Sequence, residues 1–161
     1  MRGFHAGPTN GTPVRGLIED GLPGRNVVQI GLGAFSNSAA HRGWAERQGI
    51  TTVTAAEARG AGVGGVVTQA LDDLAVRCDL LWVDLDVDVL DPAYAPGTPG
   101  GRPGGLAPAE LQAAALAAGR HRAVRGIDIV EVDPGADSTG ITVDNAALCL
   151  LHAAAGLALR P

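Results

Sequence analysis

Aspartates alternate along one apolar segment of the chain, with a spacing that could bind cations. Residues 80–89 are predicted to form a strand in which Asp84, Asp86 and Asp88 lie on one face, about 6.6 Å apart at successive positions. Buried carboxylates this close repel one another and lose hydration unless cations neutralise them. Carboxylate oxygens are the ligands that hard divalent cations prefer. The segment therefore predicts a metal site at the carboxyl end of the strand, where Asp86 and Asp88 fall.

A second acid follows a strand further along the chain. Residues 123–132 are predicted to form a strand with Ile127, Ile129 and Glu131 on one face. If the two strands are neighbours, Glu131 emerges at the mouth of the same crevice. A carboxylate there could bind a guanidinium or amidinium group of a substrate through paired hydrogen bonds. Asp128 is predicted to face the other way and to make a structural hydrogen bond or ion pair.

Strands and helices alternate along the chain, which predicts the fold class. Further strands are predicted over residues 26–31 and 50–53, and helices over residues 36–48, 66–77, 108–119 and 142–159. Strands separated by helices of this length form right-handed crossovers within a parallel sheet. We expect an α/β fold of three layers, α/β/α, with a mainly parallel sheet in a single domain over residues 1–161.

Two helix starts and one buried helix face are also predicted. Thr54 and Glu57 match a capping box. The last helix is expected to begin with Thr142 or Asp144 as its cap. Its predicted core face is a stripe at helical spacing, formed by Ala147, Leu150, Leu151, Ala154 and Leu157.

Composition and charge limit the classes of partner. The chain has 161 residues, 46% of them hydrophobic and 18% charged, which is typical of a globular protein. Twelve basic and seventeen acidic residues give a net charge of −5, and without a basic run we expect no nucleic-acid partner. No unbroken apolar run of membrane-spanning length occurs, so no membrane partner is expected. Cys78 and Cys149 lie far apart in apolar segments and predict free buried thiols in the cytoplasm.

Three motifs, in order along the chain, resemble one enzyme superfamily. Residues 86–92 read Asp-Val-Asp-Val-Leu-Asp-Pro and resemble the Asp-x-Asp-x-x-Asp-Pro signature of the ureohydrolases, which include arginases, agmatinases and formimidoylglutamases. Residues 126–134 resemble their late Gly-x-Asp-x-x-Glu-x-x-Pro strand, and residues 10–15 resemble the segment after their second metal motif. The resemblance implies an arginase-like fold.

The resemblance also implies a function and a site. It implies a hydrolase that uses two Mn²⁺ ions to cleave the carbon–nitrogen bonds of linear amidines or guanidines, with Asp86 and Asp88 as metal ligands and Glu131 binding the cationic substrate group. Asn10 occupies the catalytic position at which arginases carry a histidine proton donor. With the unusual loop 96–103, Asn10 favours a formimidoylglutamase-like activity over agmatinase or arginase. Arg102 of that loop either binds a substrate carboxylate or is simply solvated.

Two earlier metal motifs of the superfamily, Gly-Gly-Asp-His and Asp-Ala-His-x-Asp, do not occur in the sequence. Only two of six expected metal ligands are therefore present, which predicts an incomplete domain that lacks its N-terminal part and is inactive alone. We expect the complete enzyme to be a homo-oligomer. Two alternatives remain: a non-catalytic truncated paralogue that associates with a full-length subunit, and an aspartate-based phosphatase with Asp86 as its nucleophile.

Overall fold

The computed structural model describes Gly7, Thr9 and residues 11–160. Four strands and six α-helices alternate along them. The strands are β1 (Val28–Leu32), β2 (Thr51–Thr54), β3 (Leu81–Asp86) and β4 (Val124–Val130). The helices are α1 (Pro13–Glu19), α2 (Ala39–Gln48), α3 (Ala55–Ala61), α4 (Val63–Ala75), α5 (Pro108–Arg120) and α6 (Ile141–Ala158). All four predicted strands and four predicted helices are present, whereas α1 was not predicted.

The strands form two parallel pairs. β1 pairs with β2, and β3 pairs with β4. Helices separate the two strands of each pair, so the predicted α/β class with parallel pairing is confirmed. One buried apolar core extends from α3 and α4 across β3 to α5 and α6. The same core includes Leu90 and Leu106, which form an isolated parallel bridge after β3.

The predicted strand over residues 80–89 is shorter than expected. It ends at Asp86, and Val87–Val89 form a single turn of 3₁₀ helix. The Asp86 carboxylate accepts a hydrogen bond of 3.1 Å from the amide of Asp88 and so caps this turn. Local capping by an aspartate competes with the strand ladder. Asp88 therefore lies beyond the strand, and the prediction that it continues the alternating face was wrong.

The three longest helices pack side by side, α4 against α5 and α5 against α6. Small residues allow the close approach of α5 and α6. A Cβ atom at Gly119 would overlap the Ala153 carbonyl, and one at Gly156 would overlap the Leu116 carbonyl. Because neither helix backbone can yield locally, these glycines fix the distance between the two helices.

The buried face of α6 is not the predicted one. Its buried residues are Thr142, Asn145, Cys149, Ala153 and Gly156. All five residues of the predicted stripe are exposed instead: Ala147, Leu150, Leu151, Ala154 and Leu157. The close contact with α5 admits only small side chains, which explains why the leucine-rich side points outward.

Of the two predicted helix starts, one is confirmed and one is not. The capping box of α3 is confirmed, since Thr54 and Glu57 each accept a hydrogen bond from the other's amide. For α6, the N-cap residue is Gly140 rather than Thr142 or Asp144. The buried carboxylate of Asp137 caps this helix by accepting hydrogen bonds from the amides of Thr142 at 2.8 Å and Val143 at 3.0 Å.

Because α5 and α6 lie so close together, we expect a single methyl group added at their contact to destabilise the fold. We expect Gly119→Ala to lower the free energy of unfolding by about 2 kcal/mol, because the added carbon must displace a helix backbone. Gly60→Ala is the matched control, since Gly60 lies in α3 with open space around it, and should be neutral or slightly stabilising. Urea denaturation measures both. An equal effect of the two substitutions would contradict the role given to this contact.

The Asp137 cap predicts a pH dependence of stability. Burial alone would raise the pKa of Asp137, but the hydrogen bonds from Val143 and Thr142 outweigh it and hold the pKa below its ordinary value. A lowered pKa stabilises the fold above the ordinary pKa of about 4, and this contribution disappears as the pH falls through the lowered value. We expect Asp137→Asn to lower the Tm at pH 7 and to make little difference near pH 2. Exposed Asp79, changed to asparagine, serves as the control.

Candidate active site

Asp86 and Asp88 lie together at the carboxyl end of β3. Both are partly buried. Burial, followed by the charge of Asp88, raises the pKa of Asp86 to about 7. A carboxylate with so high a pKa is poorly compensated when ionised, and a cation at this position would relieve the repulsion. The structure therefore brings together the two acids predicted as metal ligands.

Two more carboxyl groups lie on this pair of strands, Asp84 in β3 and Asp128 in β4. In the register of β3 and β4, Asp84 lies opposite Asp128. Because directly paired residues of adjacent strands share one face of the sheet, Asp128 lies on the face of Asp84 and opposite to that of Ile127 and Ile129, as predicted. Asp128 also makes a structural hydrogen bond as predicted, accepting from the Trp82 indole N–H at 2.7 Å. Burial and then the charges of Asp128, Glu131 and Asp88 raise the pKa of Asp84.

Glu131 follows the last residue of β4 and has an unusual backbone conformation. Its φ of 60° is left-handed, so the strand alternation that placed it beside Ile127 and Ile129 ends before it. Its negative charge is one of those that raise the pKa of Asp84, so Glu131 lies within electrostatic range of the acidic face of β3. The Glu131 Oε2 atom is buried and has no hydrogen-bond partner among the residues that the structure describes. A buried acceptor without a donor is costly in a folded protein.

The proline- and glycine-rich loop after β3 lies against these acids. A Cβ atom at Gly100 would overlap the Asp88 carboxylate, so the loop backbone is in close contact with that side chain. Asp91 folds the loop back by accepting hydrogen bonds from the amides of Ala93 at 3.0 Å and Gly104 at 2.7 Å. The bridge between Leu90 and Leu106 closes its base.

Two buried polar residues of α6 fix the same loop. The Thr142 hydroxyl accepts a hydrogen bond of 2.8 Å from the amide of Gly97, and the Asn145 amide donates one of 2.9 Å to the Tyr94 carbonyl. The amide of Asp133, just after Glu131, donates to the Gly97 carbonyl at 2.8 Å. The sequence analysis missed these positioning residues. Two polar side chains three residues apart, and so on one face of a largely apolar helix, were the available signal.

Arg59 holds the far end of the loop from outside. Its Nη2 atom donates a hydrogen bond of 2.7 Å to the Gly105 carbonyl, and its Nε atom lies 3.4 Å from Glu110 Oε1. Gly105 lies so close to the backbone of residues 89–91 that a side chain there would overlap it. The loop is therefore anchored at both ends and in its middle.

Two further residues were predicted for the site, Asn10 and Arg102. Asn10 lies outside the described residues. Arg102 is exposed on the loop, and its Nη1 atom donates to the Gly101 carbonyl at 2.9 Å. Over Gly7, Thr9 and residues 11–160, no group of three or more His, Cys, Asp or Glu side chains is arranged to hold a metal ion. Two carboxylates at the end of β3 supply only part of such a site.

Because the ionised form of Asp86 is unfavourable in the folded chain, we expect removal of its charge to stabilise the chain when no metal is bound. Because the pKa of Asp86 is raised to about 7, its ionised form opposes folding above that pH and less so as the pH falls. We expect Asp86→Asn to raise the Tm by about 3 °C at pH 8, equivalent to about 1 kcal/mol, and by less at pH 5.

Asp91→Asn is the control for that measurement. Hydrogen bonds from the amides of Ala93 and Gly104 lower the pKa of Asp91, so the same substitution there should lower the Tm at pH 8. Thermal denaturation in the presence of a chelator compares the two variants. A loss of stability in Asp86→Asn would show that its carboxylate is already compensated.

Comparison with known proteins identifies the family. The model of the arginase family matches residues 3–156. The formimidoylglutamase of Halalkalibacterium halodurans is 39% identical over 155 residues, which are 96% of this chain and 49% of that protein. The crystal structure of formimidoylglutamase from Bacillus subtilis superimposes with a TM-score of 0.93 at 36% identity, covering 100% of this chain and 50% of that one.

A more distant structure shows the same fold. Trypanosoma cruzi formiminoglutamase, solved with Mn²⁺, gives a TM-score of 0.86 at 22% identity and covers 96% of this chain and 52% of that one. The chain spans about half the length of the relatives it matches. The family match, the relative that is 39% identical and the arginase-like arrangement of parallel strands and helices agree with one another. The chain belongs to the arginase family.

Proposed function

We propose that the chain is the C-terminal part of a manganese-dependent hydrolase that cleaves non-peptide carbon–nitrogen bonds in linear amidines or guanidines. The observation that carries the proposal is that Asp86 and Asp88 at the end of β3 and Glu131 just after β4 follow two paired parallel strands at the same edge of the sheet, with one buried oxygen of Glu131 lacking a donor among the described residues. Family membership supports the hydrolase over the phosphatase, for which Asp86 would have to be the nucleophile. A location in the cytoplasm and a homo-oligomeric complete enzyme remain predictions.

The donor set suits Mn²⁺ but does not complete a site. Asp86 and Asp88 offer the hard oxygen ligands that this ion accepts, and a dication would offset the repulsion that raises the pKa of Asp86. The remaining ligands must come from outside the described residues. Two bound ions would lower the pKa of a water molecule and polarise the substrate. The structure of Trypanosoma cruzi formiminoglutamase, which was solved with Mn²⁺, supports this choice of metal.

Glu131 is proposed to bind the cationic end of the substrate. Its unpartnered Oε2 atom is buried, and an amidinium N–H group would supply the missing donor. A charge-assisted pair of this kind fixes both the position and the plane of the reacting carbon. Asn10 is proposed to contact the substrate from the N-terminal side, where an amide can donate a hydrogen bond without titrating.

Formimidoylglutamate is the favoured substrate. Two observations support it: relatives that match 96% or more of this chain are formimidoylglutamases, and Arg102 lies exposed on the loop that contacts Asp88. A guanidinium group there can bind a substrate carboxylate in a bidentate manner. The incomplete ligand set favours one alternative, a non-catalytic paralogue that associates with a complete subunit.

Restoring the missing half tests the proposed function. We expect a fusion of the unmatched half of Bacillus subtilis formimidoylglutamase to this chain to hydrolyse formimidoylglutamate when Mn²⁺ is added. Glu131→Gln should lower kcat/KM about 100-fold, because a charged hydrogen bond is worth up to about 3 kcal/mol. Glu46→Gln, on the exposed surface of α2, is the control. A folded fusion that binds Mn²⁺ and keeps full activity after Glu131→Gln would contradict the proposal.

A further inference from the structure

One glycine of the loop after β3 is enclosed by the segment that follows β4. The Gly97 carbonyl accepts a hydrogen bond of 2.8 Å from the amide of Asp133, and the Gly97 amide donates one of 2.8 Å to the Thr142 hydroxyl. A Cβ atom at Gly97 would overlap Asp137, so a larger residue does not fit there. Both backbone groups of Gly97 are therefore held by residues that follow β4.

The Thr142 hydroxyl has a fixed orientation. Thr142 is completely buried, and its side chain hydrogen-bonds to the Asp137 carboxylate. Because an ionised carboxylate only accepts, the single hydroxyl proton points toward Asp137, and an oxygen lone pair remains for the Gly97 amide. A chain of hydrogen bonds thus runs from the Gly97 amide through the Thr142 hydroxyl to the Asp137 carboxylate, and each bond polarises the next.

Capping of α6 does not require this hydroxyl. The Asp137 carboxylate caps the helix through the amides of Thr142 and Val143, and these bonds need only the backbone of residue 142. Burial of a hydroxyl group costs free energy unless the group is hydrogen-bonded. The bond from Gly97 therefore gives the Thr142 side chain a role outside its own helix.

On the side of β3, the loop transmits the position of Gly97 to Asp88. The next residue, Thr98, accepts a hydrogen bond of 3.2 Å from the amide of Gly101, which stiffens the loop between them. Gly100 lies within this stiffened part, and its backbone contacts the Asp88 carboxylate. A displacement of Gly97 would therefore displace the backbone that lies against Asp88.

On the side of β4, the same contact holds the chain next to Glu131. Asp133 lies two residues after Glu131, and its carboxylate accepts hydrogen bonds from the amides of Gly135 at 2.9 Å and Ala136 at 3.3 Å. Glu131 itself has a φ of 60°, a conformation that persists only where the surrounding structure holds it. The bond from the Asp133 amide to Gly97 supplies such a restraint.

We propose that Thr142 is a positioning residue whose hydroxyl, through Gly97, keeps the loop that contacts Asp88 at a fixed distance from the segment that carries Glu131. The consequence for catalysis rests on the proposed function, in which Asp88 binds metal and Glu131 binds the substrate. A misplacement of reacting groups by about 1 Å can lower a rate about 100-fold. Thr142 acts only through these two segments.

Hydrogen exchange of the intact chain, followed for single amides by NMR, tests the coupling without catalysis. Thr142→Val removes the hydroxyl and keeps the shape of the side chain. We expect the Gly97 amide to exchange about 10-fold faster, as for the loss of one hydrogen bond, and the Asp133 amide to exchange faster as well, although its own partner is unchanged. Thr142→Ser keeps a hydroxyl and should restore both rates. The Leu106 amide, bonded to the Val89 carbonyl at 2.8 Å, is the reference and should not change.

Steady-state kinetics of the fusion with the unmatched half of Bacillus subtilis formimidoylglutamase test the consequence for catalysis. Thr142→Val should lower kcat about 30-fold and change KM for formimidoylglutamate less than about 3-fold, because Glu131 still binds the substrate but holds it at the wrong distance from the acids of β3. Thr142→Ser should restore most of kcat. Thr54→Val is the matched control, since it removes a hydroxyl that caps α3 and should leave both constants unchanged.

Faster exchange at both Gly97 and Asp133, restored by Thr142→Ser, supports the proposal. Faster exchange at Gly97 alone, equally fast exchange in Thr142→Ser and Thr142→Val, or a fall in kcat no larger than that of Thr54→Val overturns it. If Thr142→Val does not fold, Asp137→Asn takes its place, because it weakens the bond that orients the hydroxyl. It should speed the exchange of the same two amides, and unchanged rates overturn the proposal.

The two measurements separate this proposal from the proposed function. An unsubstituted fusion that folds, binds Mn²⁺ and does not hydrolyse formimidoylglutamate contradicts the proposed function alone. The exchange rates of the Gly97 and Asp133 amides then decide whether Thr142 couples the two segments.

Discussion

The carboxylates at the ends of β3 and β4 repel one another, and much of the surrounding structure holds them together despite this. Burial and mutual charge raise the pKa of Asp86 and Asp84. The fold keeps the acids close despite this repulsion. They lie on or just after paired parallel strands, and the adjacent loop is fixed to α6 through Thr142 and Asn145. The energy that holds like charges together comes from the core around them. A cation bound between the acids would remove that cost.

The sequence predicted the parts of this arrangement that depend on pattern. Alternation of acids and apolar residues located β3, and the signature at residues 86–92 indicated the family that the comparisons confirm. The predictions from residue pattern were wrong where a side chain or an unusual backbone conformation ends a strand. The Asp86 carboxylate captures the amide of Asp88 and ends the strand, and the positive φ of Glu131 ends the alternation of β4. Neither event is visible in residue type alone.

The buried face of α6 shows a different limit. Hydropathy favours the leucines as the core face, whereas the structure buries Thr142, Asn145 and Cys149 with two smaller residues. The reason is distance: α5 and α6 approach so closely that Gly119 and Gly156 have no room for a side chain. A hydropathy pattern reports how strongly a face avoids water and not which neighbour it meets. In a chain that matches half of its relatives' length, the two need not coincide.

The two sides of the loop around Gly100 face different surroundings. The Gly100 backbone lies against the Asp88 carboxylate without room for a side chain, while Arg102, two residues further, points into solvent. The inner side of the loop is therefore constrained by the acids, and its outer side is not. Residues on the outward-facing side of the loop can therefore be exchanged while the geometry of the charged cluster stays intact.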